Sequence, residues 1–191
     1  MLNNIAAITN SGAAAVVGDY ESIATTTIGA GGAATVTFSS IAGTYSHLQL
    51  RHSCITNRGT YAIEDLIVRF NGDTGSNYSY HNLRGNGSAA AAGSGSSASY
   101  IYLDVCSGTS VSNFFGVGIT DILDYSNTNK YKTTRSLTGI DTNGTVAGEG
   151  GRVALQSGSW RNTAAVTSIV IAPLNGTQFN QYSSFALYGI K

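Results

Sequence analysis

Residues 166–191, VTSIVIAPLNGTQFNQYSSFALYGIK, decide the fold, because they contain two candidate β-strands and the loop between them. The first candidate strand ends in an apolar run that is closed by Pro173, and the dipeptide Asn175-Gly176 then supplies a turn. The second candidate strand is rich in aromatic residues. A strand at the end of a chain stays ordered when it is paired in a sheet, so we expect this one to be built into the fold or into an interface.

The same pattern of strands and turns continues through the rest of the chain. In the sequence HLQLRHSCI, Leu48 and Leu50 alternate with Gln49 and Arg51, which is the period of two that a half-buried strand requires. Glycine-rich and Asn-Gly segments separate the candidate strands. The strands are predicted at residues 22–28, 34–38, 47–55, 63–70, 99–106, 114–123, 130–140, 152–156, 165–171 and 184–190. Short strands at this spacing predict an all-β fold, an antiparallel β-sandwich of the jelly-roll type.

The length of the chain fits one domain with an extension. A chain of 191 residues can bury one substantial core, and its length does not require a second domain. Residues 1–20 are predicted to be an N-terminal arm, and residues 21–191 the β-sandwich domain. The Ala-rich part of the arm either docks on a neighbouring subunit or forms a disordered leader. The first residues carry no positive charge and the apolar runs are short, so neither a signal peptide nor a membrane helix is predicted.

Charge is scarce in this sequence. Charged residues make up 10% of the chain and the formal net charge is zero, against roughly 25% charged residues in an average soluble domain. The Lys and Arg residues form no basic stripe, so no nucleic-acid partner is predicted. Weak repulsion between copies favours a protein that assembles, and a soluble monomer stays open as the alternative.

The two cysteines, Cys54 and Cys106, each lie within a predicted strand. A disulfide could link the two strands, but two cysteines in a chain of this length do not make a disulfide scaffold. The sequence therefore favours buried, reduced thiols, as in a protein assembled in a reducing compartment.

The sequence contains no recognisable catalytic constellation. His47 and His52 lie five positions apart on one predicted strand, so their side chains point to opposite faces. From one strand, the two side chains therefore cannot both bind the same metal ion. No motif of a nucleophile elbow, a phosphate-binding loop or a zinc protease is present. The loop at residues 71–77 has one carboxylate and no closing Glu, so it fails the calcium-loop pattern. We therefore predict a non-enzymatic protein without a cofactor or a metal.

Tyrosine is the remaining chemical signal, with eleven residues in the chain. Many of them lie near predicted loops and strand ends, where an apolar ring with a polar tip suits a partly wet position. These side chains could anchor a subunit interface or stack on the faces of sugars. The third interpretation is that they occupy strands simply because aromatic residues have a high β-propensity.

Three segments carry a family resemblance: FNGDTGSNYSYHNLRGNGS at residues 70–88, SGSWRNTAAVTSIVIAP at residues 157–173 and NQYSSFALYGIK at residues 180–191. They resemble a family of small β-rich virion structural proteins of tailed bacteriophages, and the likeness covers most of the chain after residue 22. The resemblance implies a non-enzymatic part of the virion that is assembled in the host cytoplasm. It favours a capsid decoration or cement protein, bound to the major capsid protein or to another virion protein.

By analogy with such proteins, the resemblance also implies a homo-oligomer, with a trimer expected, that attaches through its two ends. The interface residues predicted at these ends are Ile5, Val16, Val17, Tyr182, Phe185 and Tyr188. The alternative is a head or tail fibre domain that binds carbohydrate on the host surface. Its predicted binding residues are Asp73, Asn77, Tyr78, Tyr80, Arg84 and Trp160.

Overall fold

The computed structural model describes residues 19–144 and 150–191, and within these ranges the chain forms strands and no helix. The strands are β1 (Tyr20–Thr27), β2 (Val36–Phe38), β3 (His47–Cys54), β4 (Ile63–Phe70), β5 (Tyr78–Gly85), β6 (Ala90–Ala98), β7 (Ile101–Ser107), β8 (Gly116–Leu123), β9 (Lys132–Asp141), β10 (Gly151–Trp160), β11 (Ile169–Pro173) and β12 (Ser184–Ile190).

Two sheets of unequal size pack against each other. The larger has eight strands in the order β1-β12-β3-β8-β9-β10-β5-β6, and the smaller has four in the order β2-β11-β4-β7. Neighbouring strands in both sheets run antiparallel. This architecture confirms the predicted all-β sandwich. The strand order does not establish the jelly-roll arrangement.

The core lies between the sheets, where alternate residues of the strands point inward. On β3, Leu48 and Leu50 are fully buried while Arg51 is exposed, as the alternation in the sequence predicts. His52 points inward and is buried, whereas the His47 ring on the other face accepts a hydrogen bond from the Asp124 backbone N–H. The prediction that these two histidines face opposite ways is therefore confirmed.

The edge strand β7 of the small sheet lies across the middle of the large sheet. All of its residues are buried, and it contacts β3, β5, β8, β9 and β10. This packing covers one edge of the small sheet, which would otherwise present unpaired backbone groups. The large sheet has small inward-facing residues beneath β7. A Cβ on Gly158, for example, would overlap the side chain of Ile101 in β7.

The C-terminal strand β12 is an internal strand of the large sheet, paired with β1 on one side and β3 on the other. Phe185 and Leu187 are fully buried in the core, and the Phe185 ring meets Phe179 edge-on at 4.7 Å between centroids. The expectation that this end of the chain is built into the fold is therefore confirmed.

The hairpin of β5 and β6 is absent from the strands that the sequence predicts. The prediction took Gly93–Ser97 as a turn because the segment consists of Gly and Ser, and that prediction was wrong. In the structure these residues pair with β5, and the missing side chain of Gly95 makes room for the ring of Tyr80. A strand built from small residues, without alternating apolar and polar side chains, gives no periodic signal in the sequence.

The predicted N-terminal arm lies almost wholly outside the described residues. β1 begins at Tyr20, one residue before the predicted start of the sandwich domain at residue 21. The proposed interface residues Ile5, Val16 and Val17 fall among residues 1–18 and so lie outside the described part of the chain.

Candidate assembly surface on the eight-stranded sheet

The outer face of the large sheet carries a group of exposed aliphatic side chains, which we call the apolar patch. One row across the sheet aligns Leu83, Leu155, Leu137 and Ile119 on four successive strands. A neighbouring row adds two valines from β10 and β8. The patch consists of Leu83, Val117, Ile119, Leu137, Val153 and Leu155, whose side chains are 43% to 57% exposed. Single exposed aliphatic residues are ordinary, but a contiguous group of them marks an interaction surface.

The patch arises because the middle parts of β8 and β9 reverse the usual orientation of apolar and polar residues. On β8 the outward residues Val117 and Ile119 are aliphatic, while the inward residue Thr120 is buried and makes a 2.9 Å hydrogen bond with Ser136 of β9. The inner positions must be small because β7 crosses above them. The aliphatic side chains therefore face outward, where nothing in the described part of the chain covers them.

A hollow lies within the patch at Gly139. The register places Gly139 between Val153 of β10 and Val117 of β8, so the row has a side chain missing at its centre. A Cβ at this position would meet its nearest atom, the carbonyl oxygen of Arg152, at an ordinary 3.6 Å. Steric fit therefore does not require a glycine here, and the hollow is free to receive a side chain from a partner.

A row of polar residues borders one side of the patch. Arg135 donates a hydrogen bond to Asp121 at 2.7 Å, and Gln49 donates one to the same carboxylate at 2.9 Å. Arg51 donates to the Gln49 side-chain oxygen at 2.7 Å. Burial of Asp121 opposes its ionisation, but the bonds from Arg135 and Gln49 outweigh burial, so the pKa of this carboxyl lies below its usual value. An apolar centre with a charged border is the usual composition of a protein interface.

The interface residues predicted at the C-terminal end occupy three different environments. Phe185 is fully buried in the core, so the prediction that it contacts a neighbour was wrong. Tyr188 lies on the outer face of β12, where the Arg51 guanidinium stacks 5.0 Å from its ring centre. Tyr182 precedes β12 and is 71% exposed. Only Tyr182 and Tyr188 therefore remain candidates for contact with a partner at this end.

Four residues of the predicted carbohydrate site form a structural cluster instead: Asp73, Asn77, Tyr78 and Trp160. Trp160 and Tyr78 are buried, so neither ring has a face free to stack on a sugar, and this part of the prediction was wrong. The Trp160 indole N–H donates to Asp73 at 2.7 Å, and Asn77 donates to the same carboxylate at 2.9 Å. These bonds, with that from Trp160 the strongest cause, hold the pKa of Asp73 below its usual value. Tyr80 is half-buried and its ring is stacked 5.3 Å from that of Tyr102.

Arg84, the last residue of the predicted carbohydrate site, belongs to a charged network between the two sheets. Its guanidinium lies 4.0 Å from Asp104 of β7, and Arg152 of β10 donates to Asp104 at 2.6 Å and to Asp65 of β4 at 3.2 Å. Burial raises the pKa of Asp65 to about 6, although a hydrogen bond with Tyr102 partly opposes this. The network joins the two sheets. Arg84 therefore takes part in a different set of contacts from Tyr78 and Trp160.

Among residues 19–144 and 150–191, no group of three or more His, Cys, Asp or Glu side chains is arranged to hold a metal ion. A search of the same residues finds no helix with the length and apolar character needed to cross a membrane.

No family model, no curated protein and no solved structure matches this chain. Sequence reasoning did not find the apolar patch, although Val117, Ile119, Val153 and Leu155 show the two-residue period that could have revealed it. The period alone does not say which face of a strand points toward the core.

Proposed function

We propose that this protein is a non-enzymatic structural component of a tailed-bacteriophage virion, most simply a capsid decoration or cement subunit, that associates with copies of itself through the apolar patch. The exposure of the patch is the observation that supports the self-association. The virion assignment is supported by the resemblance of residues 70–88, 157–173 and 180–191 to small phage structural proteins.

The dimensions of the sheet suit a second copy as the partner. Eight strands about 4.8 Å apart, each about eight residues long at ~3.3 Å per residue, give an outer face of about 900 Å². Each partner in a standard protein interface buries about 800 Å². The face is therefore large enough for a stable pairing, in which the aliphatic centre is buried and the polar row forms the rim.

Charge also favours pairing of two identical faces. The border of the patch carries both Arg135 and Asp121, so a copy related by a two-fold axis can place the arginine of one subunit near the aspartate of the other. The formal net charge of the chain is zero, so there is no overall repulsion for the contact to overcome.

The self-association is tested by charging the patch. Leu137→Lys places an ammonium in the centre of the proposed interface, and Thr133→Lys adds the same charge to an exposed outward position of the same strand, away from the patch. Multi-angle light scattering over a concentration series should show a multiple of the 19.7 kDa subunit mass for the wild type and for Thr133→Lys, and a monomer for Leu137→Lys. A monomeric wild type at about 100 µM, or association unchanged by Leu137→Lys, would contradict the proposal.

The virion role needs a separate measurement. Purified wild-type protein is mixed with mature capsids stripped of accessory proteins and with host cells, and bound protein is quantified on both. Binding to capsids with unlabelled cells supports the cement function. Labelling of cells that a soluble host polysaccharide abolishes would overturn it in favour of the carbohydrate-binding alternative.

A further inference from the structure

We propose that Cys54 and Cys106 form an intramolecular disulfide that ties the two sheets together. Cys54 ends β3 in the large sheet, and Cys106 lies in β7 of the small sheet. Their sulfur atoms are 2.6 Å apart, both residues are fully buried, and they are separated by 52 positions in the chain. In the structure both are thiols. This inference is independent of the apolar patch. The proposed virion role implies assembly in the host cytoplasm, where thiols are kept reduced, so the bond is expected only when the chain folds in an oxidising environment.

A β-bulge in β7 places Cys106 against Cys54. In the pairing of β4 with β7, Glu64 is opposite Cys106 and Leu66 is opposite Leu103, so Asp104 and Val105 together occupy the place opposite one residue. Val105 has a φ of 60°, a conformation that β-branched residues rarely adopt. The extra residue shifts the alternation by one position. As a result Cys106, like Leu103, belongs to the main core cluster that also contains Cys54.

The backbone around the two cysteines is held at close range on both sides. Just beyond the two cysteines the backbone is joined directly, because the Thr56 N–H, two positions after Cys54, donates to the carbonyl oxygen of Ser107, the residue after Cys106, at 2.8 Å. On the other side, Gly116 of β8 is paired with Cys54. A Cβ on Gly116 would lie only 2.7 Å from the Cys106 Cα, so the glycine is what lets β7 come this close. The fold therefore holds the two sulfurs 2.6 Å apart, within reach of each other.

Formation of the bond is a two-electron oxidation. The two thiols lose two protons and two electrons, and a low-molecular-weight disulfide such as oxidised glutathione accepts them and is reduced to two thiols. Exchange proceeds through a mixed disulfide, which requires a thiolate that can reach the reagent. Burial raises the pKa of the Cys106 thiol and removes it from solvent. We therefore expect the bond to form while the chain folds, and only slowly in protein that is already folded and reduced.

The test is to refold the unfolded, reduced chain in a mixture of oxidised and reduced glutathione, then to denature it and alkylate any remaining thiols. Intact mass should be about 2 Da below that of the reduced chain, with no alkyl groups added. Refolding in excess dithiothreitol should give two alkyl groups per chain. Two alkyl groups after oxidative refolding, or a disulfide-linked dimer on a non-reducing gel, would overturn the proposal.

Thermal unfolding gives a second readout with a matched control. Oxidised wild-type protein should have a Tm about 5 to 15 °C above that of the reduced wild type, because the bond restricts the unfolded chain. Cys54→Ala cannot form the bond, so its Tm should be the same after oxidising and reducing treatment. A wild-type Tm that is indifferent to the redox treatment would contradict a cross-link between the sheets.

Discussion

The inner strands of the small sheet and the middle parts of the central strands of the large sheet bury different kinds of residue. β4 and β11 bury aliphatic and aromatic side chains between the sheets, including Phe70 and Ile171. β8 and β9 bury Thr120, Ser136 and Thr138 and expose aliphatic residues instead. In β4 and β11, the apolar side chains are buried in the core of the single chain. In β8 and β9, aliphatic side chains stay exposed on the single chain, so the large sheet is the more informative about function.

The largest expected effect tests whether the side chains buried by β4 and β11 supply most of the stability of the fold. Phe70 is fully buried and meets the Trp160 ring edge-on at 5.7 Å between centroids. Phe70→Ala should lower the free energy of unfolding by about 3–5 kcal/mol, because it leaves a cavity in the core. Leu137→Ala, on the exposed face, should change it by less than about 0.5 kcal/mol. Urea denaturation of dilute, dissociated protein measures both.

A similar loss of stability in both variants would contradict the comparison. It would mean that the aliphatic side chains of the outer face stabilise the single chain through cross-strand packing, and an interface would then not be needed to explain them.

A somewhat smaller effect should come from His52, which is among the polar residues buried beside β8 and β9. Burial lowers its pKa from 6.5 to about 4, partly opposed by the Val105 backbone. Between these pH values the unfolded chain binds a proton that the folded chain does not, so stability falls as pH decreases from 6.5 to about 4. The full loss is about 3 kcal/mol.

The contribution of His52 to the pH dependence of stability is measured by comparing the wild type with His52→Leu. The raised pKa of Asp65 acts in the opposite direction, since it makes stability decrease as pH rises toward about 6. Urea unfolding of the wild type and of His52→Leu at pH 7.5 and pH 4.5 isolates the histidine, and His81→Asn, at an exposed position of β5, is the control. We expect the acid-induced loss to shrink in His52→Leu only. An equal loss in His52→Leu and wild type would show that folding does not lower the pKa of His52.

The sequence predicts more of the fold than of the surface. Strands such as β3 and β12 combine alternation with apolar or aromatic residues, and both were predicted within a residue of their observed bounds. β6 escaped prediction because Ala, Gly and Ser give no period, and its pairing is decided by the space that Tyr80 needs. The approach of Cys106 to Cys54 depends on a bulge at Val105, which no local pattern announces. Trp160 looked like a loop aromatic because the predicted strand stopped four residues before it.

The smallest expected effect on stability comes from a substitution that fills the hollow of the apolar patch. Gly139→Val places an aliphatic side chain between Val117 and Val153, where a Cβ meets no close contact. Valine suits a strand better than glycine, so the free energy of unfolding should stay unchanged or rise by up to about 1 kcal/mol.

If a side chain of the second copy occupies the hollow, the same substitution should weaken self-association about 10-fold. Light scattering over a dilution series measures this change in the dissociation constant. Stability and association would then change in opposite directions, which a general loss of structure cannot produce. Association that becomes tighter together with higher stability would show that the hollow receives nothing, and that the two copies meet on some other part of the sheet.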